Sequence, residues 1–178
     1  TCLDRTRLSK GGLQMSTLED QIQLARKTIQ ADNISMSVSE VTSLFKEGVL
    51  VIQPEFQRLF RWCDDQKSRL VLLGIPLPSI FISQEEESGK WELVDGLQRI
   101  STLLELQGLF PGPDGNRPPL KLRATSYLPE LEGRYWGDGS GSSLSTAQML
   151  DIRLSRLDLR IIKRGSDSNA KFDLFQRL

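Results

Sequence analysis

A mixed α/β (α+β) fold, with helices interspersed among short strands, is what this sequence predicts. Three observations carry the prediction. Apolar, β-branched segments alternate with segments whose apolar residues recur at helical spacing. Glycine and proline punctuate most changes from one to the other. The length of 178 residues, with 38% hydrophobic and 26% charged residues, suits one compact domain that buries about 70% of the surface its unfolded chain exposes.

In chain order, residues 1–15 read as a loosely held leader, with Met15 as a candidate start. Leu18, Ile22, Ala25 and Ile29 fall at helical spacing, so a helix is expected over 18–29. Leader and helix make a first segment, 1–32, ahead of a main domain at 33–178 that reads as truncated at its C-terminal end. Residues 33–36 form a short strand. Ser37-Val38-Ser39-Glu40 is a capping box that opens a helix to about Lys46, and Gly48 ends it. Residues 49–52 are strand-like and Gln53-Pro54 stops them. Asp64 or Asp65 is expected to cap a helix through Leu73, with Gly74 as its stop. Pro76-Leu77-Pro78 forces an extended entry into a strand at 79–83, and Trp91-Glu92-Leu93-Val94 is a third. Asp95-Gly96 breaks that strand, and 97–107 is a helix with Ile100, Leu103, Leu104 and Leu106 turned mostly inward. Residues 111–119 and 137–143 read as surface loops with little room for packed structure. Ser145 caps a helix to about Arg153. Leu157, Leu159 and Ile161 alternate with Asp158 and Arg160 in a half-exposed strand, and helix resumes from Asn169.

Composition excludes several function classes. No apolar run approaches the roughly 20 residues of a membrane helix, so no membrane association is expected and a cytoplasmic location is the default. Cys2 and Cys63 build no disulfide framework and match no paired metal spacing. The chain has no histidine, which removes Ser-His-Asp and Cys-His triads and the commonest zinc sites. Neither zinc nor haem is expected, and catalysis would fall to carboxylates, Arg, Lys, backbone amides or a hard cation. The formal net charge is zero, from 23 basic and 23 acidic residues, so no global pull toward nucleic acid is visible. Arg153, Arg156 and Arg160 are nonetheless clustered, either as a local DNA-contacting face or as a solvated polar one.

The junction Asp95-Gly96-Leu97-Gln98-Arg99 is the most informative place in the chain. A helix N-terminus offers unpaired amides and partial positive charge to a phosphate. Gly96 lets backbone approach a ligand, Arg99 adds a guanidinium fork, and Gln98 can bond a base, ribose or phosphate. Asp95 suits a ribose hydroxyl or Mg²⁺. The structural alternative has Asp95 capping the helix, Gly96 making the turn and Arg99 pairing with an acidic neighbour. A cation in a first helical turn opposes the helix dipole unless an anion compensates it, and this favours the ligand. A second candidate, Pro54-Glu55-Phe56-Gln57-Arg58-Leu59-Phe60-Arg61-Trp62, mixes guanidiniums with aromatics. Arg58 and Arg61 could clamp phosphates while Phe60 or Trp62 stacks on a base, or the aromatics could anchor a loop.

The order Pro-x-Phe-Gln-Arg, then Trp, then Leu-Leu-Gly-Ile-Pro-Leu-Pro-Ser-Ile-Phe, then Val-Asp-Gly-Leu-Gln-Arg-Ile-Ser-Thr-Leu resembles the GmrSD-type restriction protein N-terminal family over roughly 34–178. The resemblance implies a ParB/sulfiredoxin-like fold, a small mixed sheet flanked by helices. It also implies nucleoside triphosphate binding, often with hydrolysis, in systems that restrict modified or phage DNA. The family's Asp-Gly-Gln-Gln-Arg is matched at Asp95, Gly96, Gln98 and Arg99, with Leu97 as a departure. Two readings follow. In the first, an NTP is held by Gln57, Arg58 and residues 95–99, with Asp95 and Arg99 as catalytic residues and Mg²⁺ at Asp95. In the second, a non-catalytic DNA-binding or modification-sensing module uses Arg61, Arg153, Arg156 and Arg160. A C-terminal or separate nuclease domain is an expected partner, because these residues contain no histidine to run one.

Overall fold

The computed structural model describes residues 17–20, 31–53, 61–71 and 77–163. Gln57, Arg58, most of the helix expected at 18–29, the end of the one expected through Leu73 and the helix from 169 lie outside the described residues. Within them, β1 (Ala31–Ser37) leads into α1 (Val38–Lys46), β2 (Leu50–Val51) and α2 (Asp64–Leu70). Next come β3 (Ile80–Gln84), β4 (Trp91–Asp95) and α3 (Leu97–Leu106). A small hairpin of β5 (Pro111–Gly112) and β6 (Gly115–Asn116) follows, then α4 (Thr146–Leu154) and β7 (Arg156–Ile162).

Five strands form one mixed sheet in the order β1-β7-β3-β4-β2. The β1/β7 and β3/β4 pairs are antiparallel, while β7/β3 and β4/β2 are parallel. The α/β expectation is met, with a longer first strand than 33–36. Its seven residues pair along the whole of β7, from Ala31 opposite Ile162 to Ser37 opposite Arg156.

The local signals that shaped the helices are visible in their caps. The Ser37 hydroxyl accepts from Glu40 N at 3.2 Å, and Glu40 Oε2 accepts from Ser37 N at 2.6 Å. Ser145 and Gln148 make the same exchange at the start of α4. At α2 the expectation needs correcting. The N-cap is Cys63, whose amide donates to Gln66 Oε1 at 3.1 Å, so Asp64 and Asp65 lie inside the first turn, where their charge still favours the helix dipole.

One face of the sheet, carrying Leu50, Ile80, Ile82, Leu93, Leu157, Leu159 and Ile161, packs against Val38 and Val41 of α1 and Ile100, Leu103 and Leu104 of α3. A second cluster joins Leu106, Leu120, Leu122, Leu131, Leu144 and Ile152. Residues 100–106 of α3 are all buried, because this helix serves both clusters, and a helix buried all round is central rather than amphipathic. The stretch 111–119 is also more structured than a plain loop, since it contains the β5/β6 hairpin, and in the 137–143 stretch Ser143 is buried.

The central position of α3 draws in charge that periodicity did not reveal. Glu105 is buried, with Lys67 Nζ of α2 at 2.8 Å from its Oε2 and Arg117 Nη1 at 3.7 Å from its Oε1. Lys67, also buried, lies 3.5 Å from Asp64. Pairing is what makes such burial tolerable.

Candidate functional site at the β4–α3 junction

Strand β4 ends at Asp95, and Gly96 is the N-cap of α3 in a left-handed conformation, φ 95° and ψ 13°. A side chain there would meet two obstacles. Residues with a Cβ rarely adopt this conformation, and a Cβ at 96 would lie 2.9 Å from Ile80 Cγ1. The close approach that Gly96 permits in this structure is therefore the packing of β3 against the start of α3. Having no side chain, Gly96 caps none of the first-turn amides, and the first turn contains no acidic residue. The helix start keeps its partial positive charge.

Arg99 points back across this turn. Its Nη1 donates to the carbonyl of Pro78 and, at 3.4 Å, to that of Ser79; its Nη2 donates to Asp95 Oδ2 at 3.2 Å. The Arg99 side chain is 12% exposed and that of Asp95 44%. Burial lowers the Arg99 pKa from its ordinary value, and the Asp95 charge opposes that shift. The anion that a cation in a first helical turn requires is thus present in the protein as Asp95. Asp95 does not cap the helix; it holds the arginine.

Gln98 is committed differently from expectation. Its Oε1 accepts from the backbone amides of Arg61 and Trp62, each at 3.1 Å, so it fastens the segment before α2 to the start of α3. Leu97, where the motif departs from Gln, is half-buried and packs against the main core. An apolar side chain fits that environment. The four motif residues with side chains therefore converge on one corner, but three of those side chains are engaged by the protein itself and Leu97 by the core.

The sheet face opposite the main core continues from this corner. Asp95 is paired with Phe81, Phe81 with Arg160, and Arg160 with Asn33, in a row across four strands. The Arg160 guanidinium lies over the Phe81 ring at 5.7 Å from its centroid. Beside this row, and bounded by Ser79, is a polar cavity of about 380 Å³ floored by Asn33, Ser35, Asp158 and Arg160. Ser79 thus links the two features, its carbonyl accepting from Arg99 while the residue lines the cavity.

The remaining candidates are dispersed. Arg61 is exposed ahead of α2. Arg156 donates to the carbonyl of Ser35 at 2.9 Å, and Asp158 separates it from Arg160 on the exposed face of β7. Arg153 lies in the last turn of α4. Among the described residues no three His, Cys, Asp or Glu side chains form a metal-binding group, and no helix is long and apolar enough to cross a membrane.

A mixed sheet whose fourth strand turns through a left-handed glycine into a central helix, with an Asp–Arg pair at the turn, defines a class of α/β domain. The model of the GmrSD restriction endonuclease, N-terminal domain, family matches residues 38–173. The chain belongs to that family. No curated protein and no solved structure matches it.

Proposed function

We propose that this domain binds a nucleoside triphosphate at the β4–α3 junction and hydrolyses it within a restriction system. The observation that carries the reading is the Asp95–Arg99 pair at an uncapped helix start beside the polar cavity at Ser79. Triphosphate oxygens would take the first-turn amides of α3, where partial positive charge favours an anion. They would also compete with Asp95 for the Arg99 guanidinium. Asp95, more exposed than its partner, would turn to a cation accompanying the phosphates. Mg²⁺ fits this donor set, since it commonly takes one or two carboxylates together with waters and phosphate oxygens, and it would neutralise charge on those oxygens. Exchange of one Asp–Arg contact for a cation–carboxylate and an anion–guanidinium contact leaves no charge unpaired, which limits the cost of opening the pair. Base and ribose would occupy the cavity over β1, β7 and β3. Hydrolysis would rest on positioning and charge stabilisation rather than covalent chemistry, as in other phosphoryl transfers. Gln57 and Arg58, seven and six residues before the α2 start, belong to the same proposal.

Calorimetric titration with GTP, UTP, CTP and ATP in Mg²⁺, paired with a phosphate-release assay, tests this. One or more of the four should bind, and Arg99→Lys, which keeps the charge but loses the fork, should weaken binding about tenfold or more. Failure of all four to bind, or unchanged affinity in Arg99→Lys, ends the proposal.

A second reading has the exposed Arg156 and Arg160, with the half-buried Phe81 ring, contacting DNA. Its signature is affinity that falls steeply with salt, by a log–log slope of about −0.9 per phosphate contact. A flat dependence excludes it.

A further inference from the structure

A second polar cavity, of about 310 Å³, lies at the other end of α3. Its wall along α1 is formed by Ser39, Thr42, Ser43 and Lys46, at i, i+3, i+4 and i+7, a single helical face. This face flanks the core-facing Val38 and Val41: Thr42 is buried, Ser39 half-buried, and Ser43 and Lys46 are exposed, so three hydroxyls and an ammonium line the cavity from core to solvent. Gln107, the C-cap of α3, closes one end, and Leu109, Trp136 and Arg153 complete the lining.

The charge in this cavity is one-sided. It has two cations and no carboxylate in its lining, and neither Lys46 nor Arg153 has an ion-pair partner among the described residues. The Ser39 and Ser43 side chains make no hydrogen bond there either. Thr42 and Gln107 do, and they stiffen the wall: Gln107 Nε2 donates to Thr42 Oγ1 at 3.3 Å and to the Leu103 carbonyl at 3.2 Å, and the Thr42 hydroxyl donates to the Val38 carbonyl at 2.7 Å. A braced wall, two unpaired cations, two free hydroxyls and a half-buried indole together describe a receptor for an anion attached to a planar ring. Lys46 and Arg153 each also lie in the last turn of a helix, where a cation complements the dipole. That role accounts for each cation singly, but not for their convergence on hydroxyls and an indole.

We infer that this cavity binds a mononucleotide unit, with the phosphate between Lys46 and Arg153 and the base against Trp136. The volume, about 310 Å³, lies near the lower end of the roughly 300–1,000 Å³ of small-molecule sites, a size in keeping with one nucleotide. The site is separate from the junction proposed for triphosphate, because the ten residues of α3 place about 15 Å between the helix ends. It does not depend on that proposal.

The test is calorimetric titration of the 178-residue chain with 5′-AMP, 5′-dTMP and inorganic phosphate, and with a single-stranded dinucleotide to separate a free nucleotide from a nucleic-acid end. Lys46→Glu and Arg153→Glu change exposed residues, and thermal melts check that both fold. At least one monophosphate should bind, each charge reversal should weaken it about tenfold or more, and Trp136→Leu should abolish the preference for nucleotide over inorganic phosphate. No monophosphate binding, or affinity unchanged in the Lys46→Glu/Arg153→Glu double variant, overturns the inference. So does inorganic phosphate binding as tightly as a nucleotide. If the cations serve only the helix dipoles, the reversals lower the melting temperature and leave nucleotide affinity where it was.

Discussion

Gly96→Ala is the sharpest probe of the junction, because the structure gives two separable costs. The first is conformational: at φ 95° a residue with a Cβ is disfavoured by about 1–2 kcal/mol. The second is steric: the new Cβ would approach Ile80 Cγ1 to 2.9 Å, and Ile80 is 1% exposed within the main core, so relief requires repacking at about 1–3 kcal/mol. The total is roughly 2–5 kcal/mol, and at about 2–4 °C per kcal/mol for a chain of this size the melting temperature should fall by roughly 4–20 °C. Gly48→Ala is the matched control. Gly48 also has a positive φ, 69°, but nothing lies within 4 Å of its added Cβ, so only the conformational cost applies. Urea unfolding followed by tryptophan fluorescence gives both values, and repeating Gly96→Ala in an Ile80→Ala background isolates the contact as a double-mutant coupling. If Gly96→Ala costs no more than Gly48→Ala, and the coupling vanishes, the packing argument is wrong. Unchanged stability with loss of NTP binding would instead give Gly96 its role in ligand approach.

Two further outcomes test the interior and the caps. Lys67→Met should destabilise by about 3–5 kcal/mol, because it removes the nearer partner of the buried Glu105 carboxylate and leaves only the Arg117 guanidinium at 3.7 Å. Combined with Glu105→Leu it should recover most of that loss, and equal penalties for single and double variants in urea unfolding would contradict the pairing. Hydrogen bonds from the Ser37 side chain, then from its backbone amide, hold the Glu40 carboxyl below its ordinary value. Its stabilising contribution is therefore present above the ordinary carboxylate range and is lost as pH falls through the lowered folded-state value. Glu40→Gln should flatten the acid limb of the stability–pH curve, and an acid limb identical to the parent's would refute the capping argument.

Much of this molecule is legible along the chain. The Ser37 and Ser145 caps, the alternation of β7 and the passage from β4 through Gly96 into α3 all arise between residues a few positions apart, where hydrogen-bond chemistry and side-chain period are local. The ordered motifs likewise suffice for the family. The sequence singled out the junction at 95–99 and favoured an external anion for Arg99, whereas in the structure Asp95 stands 3.2 Å from that guanidinium.

What the sequence by itself determined, then, is the family and the α/β alternation. Tertiary structure decided how the site's side chains are used. Arg99 reaches the Pro78 carbonyl 21 residues away, and Gln98 reaches the Arg61 amide 37 residues away. The burial of Glu105 follows from α3 lying between two clusters, and the hydroxyl face of α1 acquires meaning only where α3 and α4 close over it. The reason is physical: such contacts depend on which strands pair and which helix becomes central, and a one-dimensional period carries no record of that choice.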